Sequence, residues 1–343
     1  MKALVLIDSF KGTLTSLEAG NIVKEEFEKK DIDTRVIGIS DGGEGFLDAI
    51  SQNMVCEKKE LTVSNPFGEK IKTYYLVNEK QAYIEMAQAC GFLSVKREEK
   101  NILWSTSYGL GEMIKDAYQN GYEGIIVGIG GTLTNDGGIG ALEALGVKFY
   151  DKEHQLLQDL RSKDLLKIKV IDDSILEKYT GLRFNVVCDV RNPLLGEKGA
   201  TYVYGPQKGG NKENLKRIES GMKNYSQVIK KNSVDVNYPG SGAAGGVGFM
   251  LHTFFNAKFV GGIKYILQKI QFSKLKSTYD LFVLGEGKLD ESSLNGKVVF
   301  EILKEIKEKR VIVVCGKNEL GDIAENVAVY AIVPNITSFE DSM

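Results

Sequence analysis

Apolar residues fall along this chain in short β-branched runs, separated by glycine-rich loops and by longer stretches with helical spacing. The first run, residues 4–7, is cut off by Asp8, Ser9 and Lys11, so it reads as a buried strand and not as a secretory leader. Residues 16–30 carry Leu17, Ile22, Val23 and Phe27 at the spacing of one helix face. Further strands are expected at 36–39, ending at the Asp41 loop, and at 125–129, followed by a helix over 136–145. Residues 184–188 end at Asp189 and residues 281–284 at Gly285, while 311–314 and 329–333 read as late parallel strands. Residues 55–63, 70–77 and 82–86 alternate or nearly alternate around a turn at 65–68, the mark of an antiparallel segment. The charged, poorly periodic stretch 151–179 predicts surface helices and loops. Repeated strand–loop–helix units make this an α/β protein, in which functional loops lie at the carboxyl ends of parallel strands.

The length, 343 residues, favours two domains. Five prolines leave no evident linker, so the domains are expected to be joined by chain crossings. A net charge of −2 argues against nucleic acid or an anionic membrane as the main partner, since both demand a basic face. No apolar run approaches the roughly 20 residues of a membrane span. The four cysteines form no CxxC pair, and Cys188 and Cys315 end apolar runs as small hydrophobes of a reducing compartment do. A cytoplasmic protein is the expectation.

The chemistry is bounded first by absences. The chain has no Walker-A motif, protein-kinase catalytic loop, GxSxG or HExxH, and only two histidines, His154 and His252. What remains is carboxylate, lysine, hydroxyl and backbone N–H, the toolkit of Mg²⁺-assisted phosphoryl transfer. Glycine supplies 38 of the residues, and it is clustered.

The richest cluster is 128–138, Gly-Ile-Gly-Gly-Thr-Leu-Thr-Asn-Asp-Gly-Gly. Successive N–H groups leading into a helix N-terminus attract phosphate, and Gly130 and Gly131 let the backbone approach an anion closely. Thr132, Thr134 and Asn135 add polar side chains, and Asp136 could bind Mg²⁺ or cap the helix. A second cradle at 240–246, containing Gly245, could equally serve close packing on small residues. Asp8, Ser9 and Lys11 follow the first strand: the lysine could neutralise phosphate and the aspartate hold a metal, or the loop could simply cap a helix through Thr15 or Ser16. Asp41 and Glu44 flank a glycine turn and suit a cation or a substrate hydroxyl, with helix capping by Asp41 the plainer reading. Asp189 and Asn192 at a strand end suit Mg²⁺ or general-base duty, and Lys208 sits in a loop that could be cationic or merely solvated. Glu286, Lys288, Asp290 and Lys297 bring carboxylates and lysines together after a buried strand, as a site or as a surface ion-pair cluster.

In order, the blocks DSFKGTL, DGGEG, EMAQACGF, TSYGLGE, GIGGTLTNDGG, CDVRNPLLG, YGPQKG, GSGAAGGVG and GEGKLD…NGK resemble the bacterial glycerate kinase family across nearly the whole chain. The resemblance implies two α/β domains: a Rossmann- or flavodoxin-like parallel-sheet domain, placed at 1–62 plus 273–343, and a second α/β domain inserted at 63–272, with the active site in the cleft between them. It also implies ATP and Mg²⁺ as cosubstrate and cofactor, and D-glycerate as acceptor, giving 2-phosphoglycerate in most close relatives. Asp189 becomes the candidate base or metal ligand with Asp136 as rival, Lys11 joins them as a catalytic candidate, and Asp290 is a second candidate metal ligand. A homodimer is compatible with this reading. Lys288 stands where the family usually has arginine, and Ser292 and Asn295 where glutamine and histidine are common, so another small hydroxy acid or polyol is an alternative acceptor. A non-catalytic regulator on the same scaffold is the alternative from another class, against which the retained Asp8, Lys11, Asp136, Asp189, Asp290 and Lys297 speak.

Overall fold

The computed structural model describes residues 1–10, 13–91, 100–229, 235–294 and 297–332. Lys11, Asn295 and the end of the strand expected at 329–333 lie outside them, as does the side chain of Ser292. Among the described residues the strands are β1 (Lys2–Ile7), β2 (Asp33–Val36), β3 (Glu57–Ser64), β4 (Lys70–Asn78), β5 (Gln81–Glu85), β6 (Gly124–Gly128) and β7 (Lys148–Tyr150). They continue as β8 (Leu156–Leu157), β9 (Val170–Asp172), β10 (Arg183–Val187), β11 (Lys258–Val260), β12 (Leu281–Leu289), β13 (Arg310–Asn318) and β14 (Val327–Ala331). The chain divides into two compact units, Met1–Val55 with Gly261–Met343, and Cys56–Val260.

The first unit is built on a five-stranded sheet in the order β14-β13-β12-β1-β2, with every pair parallel. A parallel sheet covered on both faces needs apolar residues at consecutive positions, and Ala3 to Ile7 are all buried. The helix Ser16–Glu28 starts at a capping box: the Glu18 N–H donates to Thr15 Oγ1 at 3.2 Å, and the Thr15 N–H donates to Glu18 Oε2 at 2.8 Å. Ser16 is the first helical residue, and its hydroxyl donates to the Ile7 carbonyl at 2.6 Å, tying the helix to the end of β1. From β1 the chain moves to one side of the sheet, to β2, while from β12 it moves to the other, through β13 to β14. The carboxyl ends of β1 and β12 therefore flank a topological switch point, where open α/β sheets leave a crevice for ligands.

The second unit carries a six-stranded sheet, β11-β10-β6-β5-β4-β3. The strands from β11 to β5 are parallel, and β4 and β3 are antiparallel, as the alternation at 55–86 predicts. Ile125, Val127, Phe184 and Val186 from its central strands pack into one continuous core with Leu110, Met113, Phe249 and Met250 from flanking helices.

Two local expectations are corrected. Residues 148–172 contain a small antiparallel sheet, β8-β7-β9, and not only helices and loops. Its strands are two or three residues long, too short to show alternation, and Phe149 is the buried residue that anchors it. Gly285 does not end a strand either: β12 runs on to Leu289, with Glu286 opposite Cys315 and Lys288 opposite Lys317 on β13. Cys90 and Cys315 are buried and Cys188 half-buried, all as free thiols. Among the described residues no helix is long and apolar enough to cross a membrane.

Candidate active site

In the second unit, the loops after β6 and β10 leave the carboxyl ends of adjacent parallel strands. The β6 loop contains the glycine-rich segment, which divides into two layers. Gly131 is exposed, Gly130 half-buried and Thr132 nearly buried, so this part can meet a ligand. Thr134, Asn135 and Asp136 are fully buried and form the foundation beneath it.

That foundation is fixed residue by residue. The Leu133 N–H donates to the Cys90 carbonyl at 2.9 Å. Lys208 reaches in from the turn Pro206–Lys208 and donates from Nζ to the Thr134 carbonyl at 2.7 Å. Asn135 Nδ2 donates to Thr201 Oγ1 at 3.2 Å. Asp136 is the hub: its Oδ2 accepts from the Ser107 N–H and hydroxyl, both at 2.8 Å, and from the Gly140 N–H at 3.2 Å, while Oδ1 accepts from the Gly138 N–H at 3.1 Å. Burial pushes the Asp136 carboxyl above its ordinary range, against the pull of these donors. Its oxygens hold backbone and face inward, which is an anchoring arrangement and not that of a base open to substrate.

Gly245 belongs to the same foundation. Its carbonyl accepts from the Gly137 N–H at 2.9 Å, and a Cβ built on it would lie 2.2 Å from the Thr134 carbonyl oxygen, at a φ of +66°. The 240–246 segment is therefore glycine-rich because two backbones pack against each other, the packing alternative raised above.

Asp189 is half-buried just past β10. Asn192 is spent on its own loop: its Nδ2 donates to the Lys198 carbonyl at 2.8 Å, and its Oδ1 accepts from the Tyr204 hydroxyl at 2.7 Å. Lys208, expected in an open cationic loop, is only 3% exposed. Burial depresses its ammonium to about 7, and the nearby Asp136 and Cys90 only partly offset that.

In the first unit a second group gathers at the switch point. Asp8 follows β1, its N–H donating to the Gly285 carbonyl at 2.9 Å and its Oδ1 accepting from the Ser9 N–H at 2.8 Å. On β12, Glu286 is 3% exposed, with Oε2 accepting from Ser293 Oγ at 3.0 Å and 3.4 Å from Lys297 Nζ. Lys297 lies 3.7 Å from Asp290, and Lys288 bridges Asp290 at 3.4 Å and Glu319 at 2.9 Å. Burial raises the Glu286 carboxyl above its usual range, partly opposed by Lys297. Its Oε1 is buried and has no hydrogen-bond partner among the described residues, an acceptor waiting for a donor. Asp41 and Glu44 occupy a separate loop, where Asp41 Oδ1 accepts from the Gly43 N–H at 2.9 Å and Glu44 is exposed. The helix Phe46–Asn53 is capped by Gly45 and not by Asp41.

Each unit thus collects its own subset of the predicted residues. The second brings together Gly130, Gly131, Thr132, Thr134, Asn135, Asp136, Lys208 and Gly245, with Asp189 on the neighbouring strand end. The first brings Asp8 and Ser9 beside Glu286, Lys288, Asp290 and Lys297, while Asp41 and Glu44 stay in a loop of their own. Sequence reasoning missed Ser107, the two-point partner of Asp136, and Ser293, the fully buried hydroxyl that orients Glu286. Ser107 lies in the TSYGLGE block and Ser293 between two glycine-bearing segments; position alone marked them, because a single serine carries no motif.

The family model described as "Glycerate kinase family" matches residues 3–343. A glycerate kinase of Halalkalibacterium halodurans is 35% identical over 349 residues, covering 98% of this chain and 92% of that protein. The glycerate 2-kinase of Escherichia coli K12 is 32% identical over 355 residues, covering 100% and 93%. A crystal structure assigned to glycerate kinase 2 of Salmonella typhimurium LT2 superposes with a TM-score of 0.82 at 32% identity, over 100% of this chain and 93% of that one. Full-length family coverage and a shared fold place this chain in the glycerate kinase family, as an enzyme that transfers a phosphoryl group to an alcohol.

Proposed function

We propose that this kinase transfers the γ-phosphoryl group of ATP directly to a hydroxyl of D-glycerate, forming 2-phosphoglycerate. The observation that carries the reading is the β6 loop, where half-buried Gly130 and exposed Gly131 rest on a buried base whose backbone is held by hydrogen bonds. Backbone N–H groups held rigidly before the substrate arrives stabilise phosphoryl oxygens without reorganising, which is where rate enhancement in such transfers comes from. Thr132 would add a hydroxyl to that cradle. Lys297 and Lys288, each partly exposed, are the cations proposed to neutralise phosphate or the glycerate carboxylate, with Asp8, Ser9, Asp41 and Glu44 as further substrate contacts. Lys11 keeps its place as a proposed phosphate-neutralising residue from the sequence.

Mg²⁺ suits the donors present. It takes hard oxygen ligands, one or two carboxylates plus substrate phosphates, and keeps several waters. Among the described residues no group of three or more histidine, cysteine, aspartate or glutamate side chains forms a metal cage. Asp189 and Asp290 are the proposed ligands; when bound, the ion would neutralise charge on the phosphoryl oxygens. Asp189 remains the candidate for activating the acceptor hydroxyl, whereas the inward-facing carboxylate of Asp136 gives it an anchoring part.

The test is a coupled assay for ADP release with D-glycerate, ATP and Mg²⁺, with the product's phosphate position read by ³¹P NMR. Turnover with 2-phosphoglycerate as product is expected. Faster turnover with a different hydroxy acid or polyol would reassign the acceptor, and nucleotide binding without transfer would leave a regulator. Asp189→Asn should lower kcat at least about a hundredfold while the thermal midpoint holds.

A further inference from the structure

The lysine expected to touch the ligand is the one the fold seals away. Lys208 is 3% exposed, and the bond from its Nζ ends on the carbonyl of Thr134, in the layer beneath Gly130–Thr132. The segment it leaves, Pro206–Lys208, is separate in sequence from every other clamp on the loop. Gly245 presses on the same carbonyl from the other segment, so any shift of Thr134 meets backbone on that side. Asp136, two residues on, is pinned by four donors and Asn135 holds Thr201, so the Lys208 bond to the Thr134 carbonyl is the side-chain clamp closest in sequence to Gly130–Thr132.

We infer that Lys208 is a positioning residue: by donating to the Thr134 carbonyl it holds the Gly130–Thr132 amides in the orientation that receives the phosphoryl group of ATP. This rests on the phosphoryl-transfer reading above and deepens it, because it predicts when the cradle is competent. Among the described residues the groups that face Lys208 are Asp136, from the loop before the helix Ile139–Ala144, and Cys90, from the short helix Ala87–Cys90. Cys90 is itself neutral near physiological pH, its thiol pushed up to about 12 by burial. Among the described residues Asp136 is the facing carboxylate, and it favours the protonated lysine. As an ammonium, Lys208 makes a charge-assisted bond to the carbonyl and balances Asp136; as a neutral amine it does neither as well. With its proton lost near pH 7, the cradle loosens as pH rises.

The experiment measures kcat/KM for Mg·ATP at saturating D-glycerate from pH 6 to 9, since that ratio reports ionisations of the free enzyme. Wild type is expected to lose up to about tenfold per pH unit above a midpoint near 7, with KM carrying most of the change. Lys208→Arg keeps a positive charge throughout and should flatten that limb; Lys208→Met should show a raised KM and no limb. Thermal midpoints of each protein separate misfolding from mispositioning. A second readout needs no variant: calorimetry of Mg·ATP binding to wild type at pH 8, in two buffers of different ionisation enthalpy, should register proton uptake. A limb unchanged in folded Lys208→Arg, or binding without proton uptake, would overturn the inference while leaving the kinase reading intact. Absence of turnover at every pH in wild type would instead sink the kinase reading itself.

Discussion

In the second unit the charges nearest the glycine-rich loop are sealed, with Asp136 fully buried and Lys208 3% exposed, whereas in the first unit the side chains of Lys288 and Lys297 remain 46% and 39% exposed. Both regions follow the carboxyl ends of parallel strands, and both combine glycine, lysine and carboxylate. The difference lies in what the charges grip. The two sealed charges of the second unit hold mainly backbone: Asp136 takes three N–H donors and the Ser107 hydroxyl, and Lys208 one carbonyl. Among the described residues the exposed lysines pair with carboxylate side chains, Asp290, Glu286 and Glu319, and they are the ones proposed to exchange these for a ligand's phosphate or carboxylate. Residues of one chemical type therefore serve as scaffold in one region and are the proposed ligand contacts in the other, with burial separating the two lysine environments.

The sharpest way to break this comparison is Asp136→Ala. It strands several buried donors and an uncompensated lysine, and should cost about 3–5 kcal/mol in urea unfolding. A loss well under 1 kcal/mol would mean the carboxylate is no anchor.

Next comes the pH dependence of stability. The folded pKa of Lys208, about 7, lies below its ordinary value of 10.5, so in that window the unfolded chain binds more protons than the folded one. Stability from this group must then rise with pH from about 7 toward 10.5, and fall as pH drops back through the window. Lys208→Met should remove that slope, read from unfolding midpoints at several pH values. An unchanged slope would show the lysine to be solvated.

Gly245→Ala tests the backbone packing. A methyl group 2.2 Å from the Thr134 carbonyl, at positive φ, should cost roughly 2 kcal/mol and raise KM for ATP together with it. Wild-type stability in this variant would show that the two segments can part freely.

The smallest expected effect on the fold belongs to Lys297→Met. Its amine is partly exposed, and the buried Glu286 it would leave keeps the Ser293 hydroxyl as donor, so the thermal midpoint should move less than in the variants above, while KM for ATP or D-glycerate rises about tenfold. A large drop in midpoint with unchanged KM would make it scaffold, and would erase the contrast between the two units.

Much of the fold was legible from spacing alone. The apolar run 4–7, the helix over 16–28 and the alternating segment from 55 to 86 are each long enough to display their period, and each forms the element expected, although Ile22, placed on the packed face with Val23 and Phe27, is exposed. The sheet β8-β7-β9 was not legible, because two or three residues cannot show alternation. Nor was the continuation of β12 through Gly285 and Gly287, since glycine in a strand reads as a break until a partner strand is seen to bond across it.

The candidate site was legible as a set of segments and not as a set of roles. Glycines beside Thr132 and Asp136 marked the β6 loop, and lysines beside carboxylates marked 285–297, because anion chemistry demands those residue types within a few positions of each other. Which side chains face a ligand depends on contacts between segments far apart in sequence: Ser107 with Asp136, Lys208 with Thr134, Gly245 with Thr134 and Gly137. Order along the chain carries local period and composition, enough for the α/β class, most of the long elements and the residues proposed to handle phosphate. Burial is a property of the packed chain, and it turned Asp136 and Lys208 from expected ligand contacts into clamps on the backbone, because a charge removed from water must be satisfied by whatever the fold places beside it.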